Sequence, residues 1–122
     1  MLRTGVDLIE VSRVAETIGR QGERFLQRCF TTQELADCAG QAPSLAARFA
    51  AKEAVAKALG CGIGDVRWVD IEIRRDPRGQ PELLLHDAAH ALAQQLGLTE
   101  WSISLSHTQE HAVAMVVAKS RD

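Results

Sequence analysis

The chain has 122 residues, of which 46% are hydrophobic and 25% are charged, with a formal net charge of −2. This length and composition predict a single globular domain over residues 1–122, and the small net charge argues against a nucleic-acid partner. The three cysteines form neither a CxxC pair nor a zinc-ligand pattern, so we expect reduced thiols and a cytoplasmic protein. No apolar run approaches the roughly 20 residues of a membrane span and the first residues do not resemble a signal peptide, so we expect no membrane association.

The N-terminal part of the chain predicts one strand followed by short helices. Residues 4–11 are β-prone and mostly apolar, which indicates a strand. Ser12 is expected to cap the helix that follows, and residues 22–29 are expected to form another helical turn or two. Thr31 and Glu34 have the spacing of a capping box, so a further helix should begin there.

The middle of the chain predicts a long helix and then a hairpin. The helix is expected to run from about residue 45 to residue 59 and to end at Gly60 in a left-handed conformation. Residues 68–74 alternate between apolar and charged side chains, which predicts a half-buried strand. Residues 76–79 are expected to turn the chain, and residues 82–85 to return as the partner strand.

The last part of the chain predicts one more helix and a second hairpin. Asp87 is expected to cap a helix that ends at Gly97, residues 101–106 alternate as a strand, and residues 111–118 return as an apolar strand. Antiparallel hairpins beside separate helices indicate an α+β fold rather than a doubly wound parallel sheet. Association into an oligomer would bury the surplus apolar surface of the alanine-rich helix.

The long helix is alanine-rich almost all round, yet it carries Arg48, Lys52, Glu53 and Lys57. A helix with so little polar surface is normally buried, and buried charges need partners, which phosphate and a metal ion would supply. The alternative is that the first two side chains extend to the surface and that the last two form a surface ion pair. The position of Lys52 in the apolar stripe fits a structural role equally well.

Asp7 is the second unusual charge, because it lies inside an apolar strand between Val6 and Leu8. A carboxylate is disfavoured there by β-propensity and by the cost of desolvation. An exposed edge strand or a capping role would explain it. The functional alternative is a Mg²⁺ site, in which Asp7 and Glu53 supply the one or two carboxylates that this cation takes besides water and phosphate oxygens.

Two loops carry residues suited to phosphate or nucleotide. Gly60, Gly62 and Gly64 permit a close backbone approach, although an ordinary flexible loop has the same composition, and the segment is not a Walker loop. Residues 104–108 (SLSHT) could hydrogen-bond a phosphate or a ribose, although a solvated turn is the plainer interpretation. A serine hydrolase is excluded, since there is no GxSxG elbow and the adjacent serine and histidine point to opposite sheet faces.

Arginines recur through the first helical region, at Arg13, Arg20, Arg24 and Arg28. A solvated charged face is the plain interpretation of such a series. The alternative is a docking surface for an acidic partner, because the guanidinium group binds carboxylates in a bidentate manner.

Three segments of the chain resemble the signatures of the holo-acyl-carrier-protein synthase family. They are residues 5–13 (GVDLIEVSR), residues 48–60 (RFAAKEAVAKALG) continuing into residues 62–64, and residues 104–108 (SLSHT). Their order and spacing agree with that family, and the resemblance covers essentially the whole chain. Cys61 departs from the family pattern, because a small polar residue is common at that place in the loop over residues 60–64, called the glycine loop below.

The resemblance implies a pseudo-symmetric α+β subunit that assembles as a homotrimer with active sites at the subunit boundaries. It implies Mg²⁺-dependent transfer of the 4′-phosphopantetheine arm of coenzyme A to a serine of apo-acyl carrier protein, which yields holo-acyl carrier protein and 3′,5′-ADP for fatty acid biosynthesis. Two competing hypotheses are a coenzyme A or nucleotide-binding module that no longer reacts, and a structural trimer whose charged helix only makes intersubunit salt bridges.

The resemblance also implies roles for individual residues. Asp7 and Glu53 correspond to metal ligands, and Lys57 to a lysine near the phosphates with a charge-neutralising or acid–base role. The general base is left open between Glu53 and a metal-bound water. Coenzyme A contacts are implied at Arg48, Lys57, Gly60, Gly62, Gly64, His107 and Thr108, the last two from a neighbouring subunit. Contacts to the acidic helix of the carrier protein are implied at Arg13 and, less directly, at Arg20, Arg24 and Arg28.

Overall fold

The computed structural model describes residues 1–121, so that Asp122, the last residue of the predicted domain, lies outside it. The strands are β1 (Leu2–Glu10), β2 (Ile71–Arg75), β3 (Pro81–Leu85), β4 (Leu98–His107) and β5 (His111–Ser120). The helices are α1 (Val11–Gln21), α2 (Glu23–Cys29), α3 (Thr32–Cys38), α4 (Ala42–Leu59) and α5 (Asp87–Leu96), with a 3-10 helix over Trp68–Asp70. Within the described range, none of the helices is long and apolar enough to cross a membrane.

The strands form two antiparallel sheets, in agreement with the predicted α+β class. β5 pairs with β1 on one side and with β4 on the other, while β2 pairs with β3 in a separate hairpin. Helix α4 packs across the three-stranded sheet against β1 and β5. Its small side chains allow a close approach, and Ala50, Ala51, Ala54 and Ala58 are completely buried there. The long alanine-rich helix is therefore the centre of the core.

Strand β1 divides its side chains between two faces. Arg3, Gly5 and Asp7 face α4, which they all contact. Val6, by contrast, is 55% exposed on the outer face, and its antiparallel partner Met115 is 52% exposed. The outer face of the sheet is therefore apolar and open in the single chain.

Two local predictions are confirmed in detail. The Thr31 hydroxyl accepts the Glu34 N–H, and the Glu34 carboxylate accepts the Thr31 N–H, which completes the capping box of α3. Gly60 ends α4 in the left-handed conformation, with φ +72°. Helix α4 begins at Ala42 rather than near residue 45, because Pro43 fits its first turn.

Two predicted helix caps are wrong. Ser12 does not cap α1, which begins at Val11, because the Val11 N–H donates to the Glu110 carbonyl at 2.8 Å in the β4–β5 turn. Asp87 is the first residue of α5 rather than its cap. His86 takes the cap position, and its N–H donates to a carbonyl of the 3-10 helix. In both places a backbone hydrogen bond from a distant segment decides where the helix starts.

The predicted strand over residues 68–74 is wrong in its first half and in its exposed face. The strand starts only at Ile71, after a 3-10 turn in which the Asp70 carboxylate accepts the Arg67 N–H at 3.1 Å. Asp70 and Glu72 were predicted to face solvent, but they are 1% and 3% exposed. The alternation of the sequence reflects buried polar contacts here rather than a half-solvated strand.

Glu72 keeps its charge in this buried position because three side chains bind it. Its carboxylate accepts from the Thr31 hydroxyl at 2.6 Å, lies 2.9 Å from His86 Nε2 and lies 3.3 Å from Arg74 Nε. Burial by itself would raise the pKa of Glu72, but these hydrogen bonds together outweigh it and hold the pKa below its ordinary value. The predicted solvent face is thus a polar contact between α3, β2 and α5.

Lys52 and Glu34 form an ion pair that is completely buried, with Nζ and Oε1 2.8 Å apart. Lys52 also donates to the carbonyls of Trp68, at 3.0 Å, and of Ile71, so that its three N–H groups are all used. The second oxygen of Glu34 accepts the Ile73 N–H at 2.9 Å. Burial lowers the pKa of Lys52, whereas the charge of Glu34 opposes that shift. Lys52 therefore has a structural role: it ties α4 to α3 and β2.

We predict that Lys52→Met lowers the free energy of unfolding by about 3–5 kcal/mol, because it leaves the Glu34 carboxylate buried without a cation. Urea denaturation measures this change. Lys57→Met is the matched control on the same helix; its ion pair is largely solvated, with the lysine 54% exposed. Its loss should cost about 0–1 kcal/mol. Equal losses in the two variants would contradict a structural role that is particular to Lys52.

Candidate active site

The three residues that the sequence singled out for metal and phosphate lie together where β1 meets α4, a place called the crevice below. Lys57 Nζ lies 3.2 Å from Asp7 Oδ1 and donates to the Val6 carbonyl at 2.8 Å. Glu53 lies one turn before Lys57 on α4 and is half-buried. Residues that are some fifty positions apart in sequence thus meet at one place, and the surface ion pair between Glu53 and Lys57 gives way to a contact between Lys57 and β1.

The surroundings of Glu53 raise its pKa above the ordinary value. Burial raises this pKa most, the negative charge of Asp7 raises it further, and the positive charge of Lys57 lowers it. Asp7 and Glu53 therefore repel each other in the folded chain, and Lys57 compensates only in part. A cation between the two carboxylates would relieve that repulsion.

The donor set of the crevice fits Mg²⁺ rather than a transition metal. Among residues 1–121 the structure contains no group of three or more histidine, cysteine or acidic side chains arranged to hold a metal ion. Two carboxylates, with the remaining positions left to water and phosphate oxygens, are what Mg²⁺ ordinarily takes from a protein. Zinc would need more protein ligands, and nitrogen or sulfur among them.

Gly5 makes the crevice possible, and sequence reasoning assigned it no role of its own. A Cβ atom on Gly5 would lie 1.8 Å from the Ala54 carbonyl oxygen and 2.7 Å from the carbonyl carbon. Only glycine lets β1 come this close to α4. The signal was present in the sequence, since a glycine inside a strand indicates close backbone approach, but the neighbouring helix could not be named from it.

A cavity of about 190 Å³ lies between α4, the β2–β3 hairpin and the end of β4. Arg48 is 4% exposed there, and its Nε has no hydrogen-bond partner among the described residues, while its guanidinium lies a distant 4.0 Å from Asp37. A buried cationic donor without a partner favours an anionic ligand. The lining residues are Ser44, Ala47, Arg48, Arg75, Gly79, Pro81, Leu105 and His107.

The structure brings Arg48 and His107 of the same chain together in this cavity, whereas the resemblance implied that His107 comes from a neighbouring subunit. Arg75 lines the same cavity and was missed, because only the folded β2–β3 hairpin carries it to α4. Thr108 belongs to the turn instead: its hydroxyl accepts the N–H groups of Glu110 at 3.2 Å and His111 at 3.1 Å. Its predicted coenzyme A contact therefore competes with a structural use of the same oxygen.

The glycine loop follows the C-terminal end of α4, twelve residues after Arg48 and roughly 18 Å away along the helix axis. Gly60 and Gly64 have φ values of +72° and +128°, which residues other than glycine rarely adopt. Gly62 would accept a side chain, because no atom lies within 4 Å of its Cβ position. In one chain, the loop and the Arg48 cavity are therefore separate surfaces.

The four arginines of the predicted docking surface are all exposed on α1 and α2. Arg28 donates to the Gln21 side chain at 3.0 Å and lines a cavity of about 430 Å³ that Gly64 and Trp68 share. Arg13 instead lies at a depression beside Leu8, close to the strand that carries Asp7. Arg28 thus borders the glycine loop, and Arg13 borders the end of β1.

A family model described as the 4′-phosphopantetheinyl transferase superfamily matches residues 3–116. The chain belongs to this superfamily. Among curated members, the holo-[acyl-carrier-protein] synthase of Herpetosiphon aurantiacus is 48% identical over 124 residues, which cover 96% of this chain and 98% of the relative. The synthase of Moorella thermoacetica is 48% identical over 123 residues, which cover 98% of this chain and 95% of the relative.

Solved structures of superfamily members have the same fold. Holo-[acyl-carrier-protein] synthase of Helicobacter pylori, in complex with coenzyme A, aligns with a TM-score of 0.87 at 30% identity, over 95% of this chain and 99% of that one. The synthase of Neisseria meningitidis aligns with a TM-score of 0.88 at 34% identity, over 97% and 98% of the two chains. The family and the α+β fold inferred from the three sequence motifs are confirmed.

We predict that Gly5→Ala separates β1 from α4 and destabilises the protein by about 2 kcal/mol or more, because backbone atoms cannot yield as a flexible side chain would. Thermal and urea unfolding measure the loss. Gly19→Ala in α1 is the matched control, since no atom lies within 4 Å of the added Cβ. In that helix the same change should stabilise by about 0.5–1 kcal/mol. A Gly5→Ala protein as stable as wild type would contradict the close approach.

Proposed function

We propose that this superfamily member transfers the 4′-phosphopantetheine arm of coenzyme A to a serine hydroxyl of apo-acyl carrier protein, releasing 3′,5′-ADP. The curated relatives carry the name of that activity, and the Helicobacter pylori protein is a coenzyme A complex. The observation that carries the proposal is the β1–α4 crevice, where Asp7, Glu53 and Lys57 meet at the surface of an otherwise buried helix. We assign the whole of residues 1–122 to this one transferase domain, in a cytoplasmic protein.

The residues of the crevice divide the chemistry among them. Asp7 and Glu53 would hold Mg²⁺, which supplies charge neutralisation at the phosphate oxygens. Lys57, 54% exposed at the mouth of the crevice, donates to the same oxygens as negative charge grows on them. The serine oxygen forms a bond to the phosphorus on the pantetheine side, and the bond from that phosphorus to the bridging oxygen breaks. The base for the serine hydroxyl would be either Glu53 or a water held by the cation.

The nucleotide end of coenzyme A belongs in the Arg48 cavity. Arg48 and Arg75 supply two guanidinium groups for a phosphate, and His107 supplies a ring nitrogen. The unpartnered Nε of Arg48 supports this assignment, because a phosphate in the cavity would give this buried donor an acceptor. Gly60, Gly62 and Gly64 would contact the substrate at the other end of α4.

The two faces of α4 support active sites at the subunit boundaries. Arg48 and Glu53 are five residues apart, which places them about 140° apart around the helix at about 100° per residue. One coenzyme A molecule would therefore meet the crevice of one subunit and the Arg48 cavity of another. We propose a homotrimer in which the apolar outer face of the β1–β5–β4 sheet, with Val6, Leu8 and Met115 more than half exposed, is the contact between copies.

The carrier protein would dock on the exposed arginines of α1 and α2, which are Arg13, Arg20, Arg24 and Arg28. Arg13 is the strongest candidate, because it lies beside Ile9 and Glu10 at the end of β1, the strand that carries Asp7. An acidic helix seated there would bring its serine toward the crevice through charge complementarity. The competing hypothesis of a binding module without activity keeps the coenzyme A contacts and lacks only the transfer.

We predict that the protein, incubated with coenzyme A, Mg²⁺ and an apo-acyl carrier protein, adds the mass of phosphopantetheine to the carrier. Asp7→Asn and Glu53→Gln should each lower kcat by about a hundredfold or more, since each removes one of the two charges that hold the cation. Mass spectrometry of the carrier measures the transfer, and circular dichroism checks the fold. No transfer by the wild type, with coenzyme A still bound, would favour the binding module.

Arg13→Glu is the contrasting variant in the same assay. It should raise KM for the carrier protein while leaving the dissociation constant of coenzyme A unchanged, because the reversed charge lies on the docking surface. Equal losses in carrier use and coenzyme A binding would assign Arg13 to the fold instead.

We predict that the wild type has three times the 13.3 kDa chain mass in solution and that Val6→Glu with Met115→Glu converts it to monomer. The two paired side chains would place charges in the centre of the apolar face. Light scattering measures the mass, and transfer activity should fall with it. Gln95→Glu, on the exposed side of α5, is the control and should leave the mass unchanged. A monomeric wild type that retains full activity would contradict the shared site.

A further inference from the structure

Arg3 lies on the same face of β1 as Asp7 and contacts α4 at Ala58, the residue after Lys57. It faces α4 from β1, on the side that also carries Gly5 and Asp7, and it is half-buried. Its Nη1 donates to the Ala58 carbonyl at 3.4 Å and lies 3.0 Å from the Cβ position of Gly60. The guanidinium is thus held over the end of α4, where the glycine loop departs and the carbonyl groups at the end of the helix attract a cation.

Most of the hydrogen-bonding capacity of Arg3 is unused. A guanidinium group has five N–H donors in a planar fork, and among residues 1–121 the structure gives this one a single, long acceptor. The Lys57 ammonium is engaged differently, because it is bound to the Val6 carbonyl and the Asp7 carboxylate. Two cations therefore lie where β1 meets α4. Lys57 is bound at the carboxylates, and Arg3 has N–H groups available beside the glycine loop.

The charges of Asp7, Glu53 and Lys57 leave a place for a second cation. Asp7 and Glu53 carry two negative charges and Lys57 carries one positive charge, so these three residues leave one negative charge in excess. A pyrophosphate brings two further negative charges, and a divalent cation balances these two but not the one already in excess. With Arg3 included, the four side chains are neutral, and a divalent cation then balances the pyrophosphate.

We propose that Arg3 is a substrate-binding residue: its guanidinium fork binds the pyrophosphate of coenzyme A beside Lys57. The proposal rests on the proposed function, since it names a further contact for the same substrate. Arg3 adds specificity for a phosphate with two accessible oxygens, because a planar fork binds two of them at once whereas an ammonium binds as a point charge.

Isothermal titration of coenzyme A tests the proposal, with and without Mg²⁺, on the wild type, Arg3→Gln and Arg3→Lys. The loss of a charge-assisted contact should weaken binding by about tenfold or more in Arg3→Gln, with Arg3→Lys intermediate. Inorganic pyrophosphate should compete with coenzyme A in the wild type and compete less in Arg3→Gln. Arg121→Gln, an exposed arginine at the end of the described chain, is the control for the same change of net charge.

Two outcomes overturn the proposal separately from the proposed function. If the wild type binds and transfers but Arg3→Gln binds coenzyme A equally well, Arg3 only caps α4, and a lower midpoint of thermal unfolding would accompany that result. If Arg121→Gln weakens binding as much as Arg3→Gln, the effect comes from net charge alone. If Arg3→Gln does not fold, Arg3→Met carries the test, because it keeps the apolar stem over Gly60. A wild type that binds no coenzyme A overturns the proposed function itself, and this contact with it.

Discussion

The close approach of β1 to α4 is the constraint on which the candidate active site depends. Gly5 lies so near the Ala54 carbonyl that a methyl group could not be added. Because of that contact, Asp7 lies 3.2 Å from Lys57 on the same face of β1, two residues after Gly5. Its negative charge also raises the pKa of Glu53. A wider spacing would leave one carboxylate on a strand and another on a helix, with no place where a single cation could bind both.

Helix α4 carries charged side chains on different sides, and the buried Lys52–Glu34 ion pair fixes which neighbouring element each side faces. Lys52, bound to Glu34 and to two carbonyls, holds one side of the helix against α3 and β2. Glu53 is then turned toward β1, and Arg48 is turned toward the β2–β3 hairpin. A helix with this many alanines has few other features to fix its rotation about its own axis. The site thus relies on a polar contact in the core as much as on the residues that line it.

The predictions that the sequence supported best were those whose cause is local. The capping box of Thr31 and Glu34 and the left-handed Gly60 depend on residues within a few positions of each other, and both are as predicted. Ser12 and Asp87 failed as caps because backbone hydrogen bonds from distant segments set those helix starts. Glu72 was assigned to solvent because alternation in a strand distinguishes two faces but does not tell which other segments cover the polar one.

By itself, the sequence determined the family, the α+β class and the list of charges that an apolar helix and strand could not leave without partners. Those properties follow from residue types and short spacings, which are present in the chain before it folds. The tertiary structure alone decided which charges share a site: Lys52 with Glu34 in the core, Asp7 with Lys57 and Arg3 in the crevice, and Arg48 with Arg75 in the cavity. The physical reason is distance, because electrostatic interactions depend on separation in space, and the ion-pair partners Lys52 and Glu34 lie 18 positions apart along the chain, while Lys57 and Asp7 lie 50 apart.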